Sequence, residues 1–178
     1  MPPARRGWHF NGIEIAKARS CAAELRVLSV DGVHLSANGT RFGEDCSVLI
    51  REPSILITDD DPGFRETLCG VLAPQGFRTL LAADGEEALQ IVRHEVVHLL
   101  LLDMHMPRLT GLETLRQVKQ FKALLPCILI SGDADEALRQ QARRAQAFSV
   151  LTKPVSHRHI TRVVRMALRR SYNWLPQG

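Results

Sequence analysis

Short apolar runs alternate with longer amphipathic segments along residues 53–172 of the chain. The apolar runs predict five strands, at 55–58, 78–82, 97–102, 127–130 and 149–152. These strands are short and mostly apolar, as is typical of strands that helices cover on both faces. The segments between them repeat apolar residues at the 3.6-residue spacing of one helix face, so the pattern predicts five βα units.

Five such units predict an α/β fold built on a doubly wound, five-stranded parallel sheet. Short loops and right-handed crossovers leave few other ways to wind the chain, and the simplest is an open sheet with helices on both faces. Ligands of such sheets bind beyond the carboxyl ends of the strands, where the strand order reverses. Functional residues are therefore expected at that edge.

Residues 1–52 lack this rhythm. The dipeptides Asp31-Gly32 and Asn38-Gly39 are typical of tight hairpin turns, and they separate partly alternating stretches. A small β-meander over 27–42, a short helix over 13–23, or a loose, poorly ordered extension all fit this segment. We expect an N-terminal extension at 1–52, a domain at 53–172 and a C-terminal tail at 173–178.

Composition changes this picture little. The 178 residues are 45% hydrophobic, which is enough for one ordinary domain with a core. The longest strongly apolar run is far below the roughly 18 residues of a membrane span, and no signal peptide is evident, so we expect a cytoplasmic protein that does not enter a membrane. The four cysteines form no CxxC pair, which argues against a zinc site and a disulfide framework.

Carboxylates follow two of the predicted strands. Asp59 and Asp60 close the first strand, and Asp103 closes the third. In an open parallel sheet these strand ends are neighbours, so three acids are expected to converge on one crevice. Clustered carboxylates need a neutralising cation, and oxygen-only ligands select Mg²⁺.

A hydroxyl and an amine reach the same edge, because Ser131 ends the fourth strand and Lys153 follows the fifth. Each residue alone has an ordinary structural explanation, such as a helix cap, a turn or a solvated lysine. Asp61 with Pro62 is expected to cap the first helix. Together, however, they suit an acyl phosphate on Asp103, which Lys153 and Ser131 would contact through its phosphoryl oxygens.

The segments ILITDDDP, LLLLDMHMPRLTGLE, ISGDA and LTKP resemble the motifs of response-regulator receiver domains of two-component signalling, in the order typical of that family. The resemblance covers about residues 53–172 and implies a flavodoxin-like strand order 2-1-3-4-5. It also implies that Asp103 is the phosphorylated residue. Asp59, Asp60 and Asp103 would bind Mg²⁺ together with the backbone carbonyl of His105.

By the same resemblance, Lys153 is the lysine of the family motif and Ser131 is the hydroxyl switch residue. Pro154 matches a proline that follows a cis peptide, which would aim the lysine inward. The chain departs from the family at Val150, where receivers usually carry Tyr or Phe. Phe148 would share the side of Val150 by strand parity, and whether it substitutes for the missing ring is left open.

These residues predict a phosphoryl-accepting signalling switch that is not an enzyme. The donor would be a histidine kinase or a histidine phosphotransfer protein. Because little sequence follows the last predicted helix, we expect a stand-alone receiver of the chemotaxis-regulator type. The alternative is a receiver-like adaptor or scaffold that binds its partner whatever its phosphorylation state, and Val150 is the residue that favours it.

A downstream protein target is expected on the surface formed by the fourth helix, the fifth strand and the fifth helix. The fifth helix also carries a row of arginines, Arg158, Arg162, Arg165 and Arg169. This row is either a solvated surface, a docking face for an acidic partner or a homodimer, or a nucleic-acid contact. Direct DNA binding is not expected, because one basic helix without groove-reading residues specifies DNA poorly.

Other phosphate-binding folds match less well. Haloacid-dehalogenase-type phosphatases need a second acid two residues after the first, where this chain has His105. The sequence has no P-loop for nucleoside triphosphates and no GxGxxG turn for dinucleotides. A flavodoxin-like cofactor module fits the fold alone, but it would leave the converging acids unexplained.

Overall fold

The computed structural model describes residues 50–175 and four short strands before them. These strands are His9–Phe10 (β1), Ile13–Glu14 (β2), Val27–Val30 (β3) and Val33–Ser36 (β4). β3 and β4 pair antiparallel with Val30 opposite Val33, which confirms the hairpin predicted at Asp31-Gly32. β1 and β2 also pair, so the helix considered over 13–23 is wrong at Ile13–Glu14. The third strand of the predicted meander, at 40–42, lies outside the described residues.

A five-stranded parallel sheet forms the centre of the domain. Its strands are Ser54–Thr58 (β5), Arg78–Ala82 (β6), Leu99–Asp103 (β7), Cys127–Ser131 (β8) and Ser149–Thr152 (β9). They lie in the order β6-β5-β7-β8-β9. Counted from β5, this is the order 2-1-3-4-5, so the predicted doubly wound α/β fold is confirmed.

Five helices connect the strands and cover both faces of the sheet. They are Pro62–Leu72 (α1), Gly85–His94 (α2), Gly111–Phe121 (α3), Glu136–Arg144 (α4) and His157–Tyr172 (α5). Buried residues of α1 and α5 pack with one face of the sheet, and buried residues of α2, α3 and α4 pack with the other. The three central strands β5, β7 and β8 are buried along their whole length, which explains their continuous apolar sequences.

Each helix begins with a side chain that caps its first turn, namely Asp61, Asp84, Thr110, Asp135 and Ser156. The cap predicted at Asp61 is confirmed, because its Oδ1 accepts a hydrogen bond of 2.9 Å from the Gly63 N–H and Pro62 is the first helical residue. Such caps typically contribute about 1 kcal/mol each. They fix the helix starts at the carboxyl edge of the sheet, where the candidate site lies.

Two residues that the sequence boundaries place outside the domain, Ile50 and Trp174, are each 6% exposed and pack into the core on the α1 and α5 side. Trp174 lies against Phe77, with ring centroids 5.3 Å apart. Among the described residues, Cys69 and Cys127 are free thiols, and no helix there is long and apolar enough to cross a membrane.

Candidate functional site

Two carboxylates meet at the carboxyl edge of the sheet. Asp59 directly follows β5 and Asp103 ends β7, and these strands are neighbours with Thr58 opposite Leu102. Both acids are almost fully buried, at 2% and 4% exposure. The convergence of the first and third strand ends therefore occurs as predicted for these two residues.

The ammonium group of Lys153 lies between the two carboxylates. Its Nζ is 2.6 Å from Oδ1 of Asp103 and 2.8 Å from Oδ2 of Asp59. The peptide bond between Lys153 and Pro154 is cis, as the resemblance implied. The side chain of Lys153 keeps 29% of its surface exposed, whereas the two acids that it contacts are almost fully buried.

Main-chain N–H groups bind the remaining oxygens of the two acids. Oδ1 of Asp59 accepts from the N–H of Asp61 at 2.9 Å, and Oδ2 of Asp103 accepts from the N–H of His105 at 2.6 Å. All four carboxylate oxygens therefore have a donor, and both carboxylates are held in fixed orientations. Hydrogen bonds to ionised groups are stronger than neutral ones, which favours such an arrangement despite its burial.

The pKa values of the site reflect burial and pairing together. Burial raises the pKa of Asp59 above its usual value, and the hydrogen bond from Lys153 opposes this shift. Burial alone would lower the pKa of Lys153, but its hydrogen bonds to Asp103 and Asp59 outweigh burial and raise that pKa. Lys153 therefore carries its positive charge at neutral pH and offsets one of the two negative charges.

Asp60 is exposed and does not join the buried pair. Among residues 50–175, no three acidic, histidine or cysteine side chains lie together in a way that could hold a metal ion, so the predicted set of three carboxylates is not assembled. The donors nonetheless fit Mg²⁺, which is commonly bound through one or two carboxylates and retained waters. Two acids and one ammonium leave a net negative charge in the pocket. The side chain of His105, which was expected to contribute only its main-chain carbonyl, is exposed.

Ser131 is fully buried at the end of β8, but its hydroxyl is bonded to its own loop. Oγ donates to the carbonyl of Asp133 at 2.9 Å and accepts from the N–H of Asp133 at 3.2 Å. Two residues further on, Asp135 caps α4. The hydroxyl thus links the site edge to the start of α4.

Val150 and Phe148 lie on opposite sides of the sheet, so the parity argument that placed them together is wrong. Val150 packs with the cluster of α2, α3 and α4, whereas Phe148 packs with the cluster of α1 and α5. The reason is that β9 begins at Ser149, and alternation of side chains does not extend back to Phe148. Phe148 therefore does not replace the aromatic ring that is absent at Val150.

Sequence reasoning missed three residues that shape this site. The ring centroid of Phe64, on α1, lies 4.1 Å from Nζ of Lys153 in a cation–π contact. Arg65 donates from Nη1 to the main-chain carbonyl of Asp59 at 2.6 Å. Gly111 starts α3 directly against the backbone of Asp103, where a Cβ would lie 2.2 Å from the carbonyl oxygen. Of these three residues, only Gly111 lies within one of the quoted motifs, LLLLDMHMPRLTGLE, so it is the only one that the sequence could have indicated.

Comparisons with known proteins match this architecture. A family profile described as the response regulator receiver domain matches residues 55–165. A response regulator of Streptococcus pneumoniae is 33% identical over 119 residues, which are 67% of this chain and 54% of that protein. The transcriptional regulatory protein CpxR of Klebsiella pneumoniae is 36% identical over 123 residues, which are 69% of this chain and 52% of that protein.

A solved structure gives the same result for the fold. The receiver domain of NtrX from Brucella abortus superposes with a TM-score of 0.63 at 30% identity, and the match covers 66% of this chain and 99% of that chain. The chain spans about half the length of the curated relatives it matches. The comparisons therefore characterise the domain at 55–165 and do not show the activity of a whole protein.

Proposed function

We propose, from the premise that this chain belongs to the receiver-domain family of two-component response regulators, that it is a phosphoryl-accepting switch whose acceptor is Asp103. Receiver domains are regulatory domains and partners of histidine kinases. The observation that carries the proposal is the ammonium of Lys153, held 2.6 Å from Asp103 and 2.8 Å from Asp59 in a largely buried pocket. An ordinary surface lysine is solvated and does not lie between two buried carboxylates.

The reaction requires an ionised oxygen of Asp103 at the phosphorus atom. That oxygen attacks the phosphorus of a phosphohistidine, a new P–O bond forms, and the P–N bond breaks with its electron pair moving to the imidazole nitrogen. The ammonium of Lys153 lies 2.6 Å from Oδ1 of this carboxylate. Hydrogen bonding to the His105 N–H fixes the direction in which it attacks, and such positioning supplies much of the acceleration in phosphoryl transfer.

Lys153 and Ser131 have separate roles in this proposal. Lys153 offsets the charge that develops on one phosphoryl oxygen, since its ammonium already contacts Asp103. Ser131 donates to another phosphoryl oxygen, and to do so its hydroxyl must give up the two hydrogen bonds to Asp133. Releasing these bonds frees the loop that leads to Asp135 and α4, which couples phosphorylation to a change of surface.

Mg²⁺ would be held by Asp59, Asp60, Asp103 and the main-chain carbonyl of His105. When bound, it supplies positive charge against the phosphoryl oxygens and the clustered acids. Asp59 is already oriented by the Asp61 N–H, whereas the exposed side chain of Asp60 would have to turn inward to join it. Receiver domains generally use this ion, and the oxygen-only donors of this chain suit it.

We propose a histidine kinase or a histidine phosphotransfer protein of the cytoplasm as the donor. The surface of α4, β9 and α5 would contact the downstream protein, because the Ser131 loop leads into α4. Phosphorylation adds about one unit of negative charge to the pocket, and this local change would shift the conformation of the α4, β9 and α5 surface. Pro154 follows Lys153 across a cis peptide bond, as in the family motif.

The test is incubation of the full chain with acetyl phosphate and Mg²⁺, followed by intact-mass measurement. We expect an adduct of one phosphoryl group that hydroxylamine removes and that EDTA prevents from forming. Asp103→Asn abolishes the adduct, whereas the matched control Asp133→Asn, at an exposed acid of the neighbouring loop, keeps it. Absence of the adduct in the unmodified chain, or its persistence in Asp103→Asn, contradicts the proposal.

A second function is favoured by one observation. Val150 lacks the aromatic ring of the family switch, and Phe148 packs on the other side of the sheet, so no ring on β9 can follow Ser131 inward. This favours an adaptor that binds its partner whatever its phosphorylation state. Under that alternative, affinity for a partner is equal for the unmodified chain, for the phosphorylated chain and for Asp103→Asn, whereas a switch separates the first two.

A further inference from the structure

A groove of about 900 Å³ runs between α1 and α5, on the opposite side of the sheet from α2, α3 and α4. One wall is a row of α5 side chains, His157, Arg158, Arg162, Arg165 and Arg169. Among the described residues, no acidic side chain lines the groove. The arginine row predicted from the sequence is therefore concentrated in one concave site instead of being spread over a convex surface.

The rest of the groove is largely apolar. Its other lining residues include Val71, Pro74, Met166, Trp174 and Leu175. Met166 and Leu175 are 55% and 60% exposed, and they are two of the five large apolar side chains exposed among the described residues. Exposed apolar side chains are ordinary when scattered, but here they adjoin a row of cations in a groove, which is typical of an interaction site.

Two hydrogen-bond donors in the groove lining have no partner. Nε of Arg165 and Nε1 of Trp174 are buried without an acceptor among the described residues. Arg165 contacts Gln75, to which its Nη2 donates at 2.7 Å, and this is a neutral acceptor. Buried donors are normally paired, and here two without an acceptor among the described residues occur in the lining of one groove, although neither atom is itself open to solvent.

We propose that the α1–α5 groove binds an acidic amphipathic helix of a partner protein. The carboxylates of that helix would pair with the arginine row, and its apolar face would lie on Val71, Pro74, Met166 and Leu175. The row from His157 to Arg169 covers about three helical turns, or about 18 Å, which matches a short helix lying along the groove. Arginine suits this role because its planar group binds carboxylates through two hydrogen bonds.

Three other occupants fit less well. A symmetric dimer through this groove would place the same arginines against each other. Residues 1–49 carry six basic and five acidic residues, a net charge of +1, and do not complement the row. Nucleic acid would supply phosphates for the arginines, but it offers no apolar helix face for Met166 and Leu175.

The experiment uses the full chain with Trp8→Phe, which leaves Trp174 as the single tryptophan and a reporter within the groove. The probe is a synthetic 18-residue helix of Glu and Leu, with Leu at the spacing i, i+3, i+4 and i+7. Comparison probes are the same helix with Lys in place of Glu, a Glu/Ala helix of equal charge, and a 20-base-pair duplex DNA. Binding is measured by probe anisotropy and by the emission of Trp174.

We expect the Glu/Leu helix to bind, to shift the emission of Trp174, and to lose affinity with added salt. The double variant Arg162→Glu/Arg169→Glu should lower its affinity about tenfold or more. Its matched control, Arg116→Glu/Arg144→Glu, reverses two exposed arginines on α3 and α4 and should bind normally. Met166→Glu should also weaken binding, and circular dichroism checks that each variant is folded.

Stronger binding of the duplex DNA, of the Lys/Leu helix or of the Glu/Ala helix overturns the proposal, because each would show a different specificity. No binding of the Glu/Leu helix, or binding without a change at Trp174, overturns it as well. The Asp103→Asn variant should bind the Glu/Leu helix with unchanged affinity. This result separates the groove from the proposed phosphoryl switch, which fails or succeeds in the intact-mass experiment.

Discussion

In the part of the chain that the structure describes, charged groups are paired at the candidate site on the carboxyl edge of the sheet (the site edge), whereas they are unpaired in the α1–α5 groove. At the site edge, both oxygens of Asp59 and Asp103 accept hydrogen bonds, and Lys153 lies between the two acids. In the groove, the arginine row meets no acidic side chain of residues 50–175, and the buried donors of Arg165 and Trp174 have no acceptor there. The described residues thus pair the charges of the site edge but leave the cations of the groove unpaired.

The difference separates two kinds of functional region. A site that performs chemistry must orient its groups before the reactant arrives, and the chain supplies those contacts itself. A docking region can leave its polar groups to be paired by the partner, provided that the rest of the domain tolerates the cost. Unpaired donors cost about 1–3 kcal/mol each when buried, which is a measurable fraction of domain stability.

The largest expected effect concerns Trp174 at the end of the groove. Trp174→Ala should lower the free energy of unfolding by about 3–5 kcal/mol, because it removes a buried ring packed on Phe77. Trp174→Phe should cost less than about 1.5 kcal/mol, because it keeps much of this contact and deletes the unpaired N–H. Urea unfolding measures both. Equal losses in the two variants would mean that the indole N–H has a partner.

The next effect tests the pairing at the site edge. Lys153→Met should lower the free energy of unfolding by about 1–3 kcal/mol in EDTA, because it leaves two buried carboxylates without their cation. The loss is smaller than for a fully buried pair, since the lysine is partly exposed. Mg²⁺ should restore part of the stability. Lys122→Met, at an exposed lysine, is the control, and an equal loss there would contradict the pairing argument.

Two glycines compare the regions directly. Gly111→Ala should destabilise the domain by about 1–3 kcal/mol, because the new Cβ would lie 2.2 Å from the main-chain oxygen of Asp103 and α3 would have to shift. Gly70→Ala, in the groove wall of α1, meets nothing within 4 Å and should stabilise the domain by about 0.5–1 kcal/mol. Thermal unfolding of both variants measures the contrast. A gain at Gly111 would show that α3 does not rest on the site.

The smallest effect is a change of pH dependence at His98, a third buried donor on the α5 side. Burial lowers the pKa of His98 below 6.5, its Nδ1 accepts from the Ser54 N–H, and its Nε2 has no partner among residues 50–175. The unfolded chain therefore binds the proton more readily, and stability falls as pH drops below about 6.5. His98→Asn, which keeps an acceptor, should flatten this slope in urea titrations. An unchanged slope would assign it to other groups.

Much of the fold followed from the sequence, because each strand and helix has its own periodic signal. The strand order was implied by the family resemblance, and the approach of Asp59, Asp103 and Lys153 to one edge follows from the geometry of parallel sheets. The sequence could not show that Lys153 takes the position between the acids while Asp60 stays exposed. That outcome depends on side-chain conformations, to which residue spacing gives no access.

The groove was beyond sequence reasoning for a different reason. The arginine row is visible on a helical projection, but its concave shape depends on where α1 lies beside α5. The burial of Trp174 in a segment assigned to the tail depends on Phe77, nearly 100 residues earlier in the chain. The parity argument for Phe148 and Val150 failed because it extended strand alternation to Phe148, which precedes the first residue of the strand, Ser149.

Both walls of the groove start at the site edge, since Asp61 caps α1 two residues after Asp59 and Ser156 caps α5 three residues after Lys153. α5 has 16 residues. It therefore spans about 24 Å. Its first turn adjoins Lys153 and its last turn adjoins the buried Trp174, so one continuous, core-packed helix joins the acidic site to the far end of the basic groove.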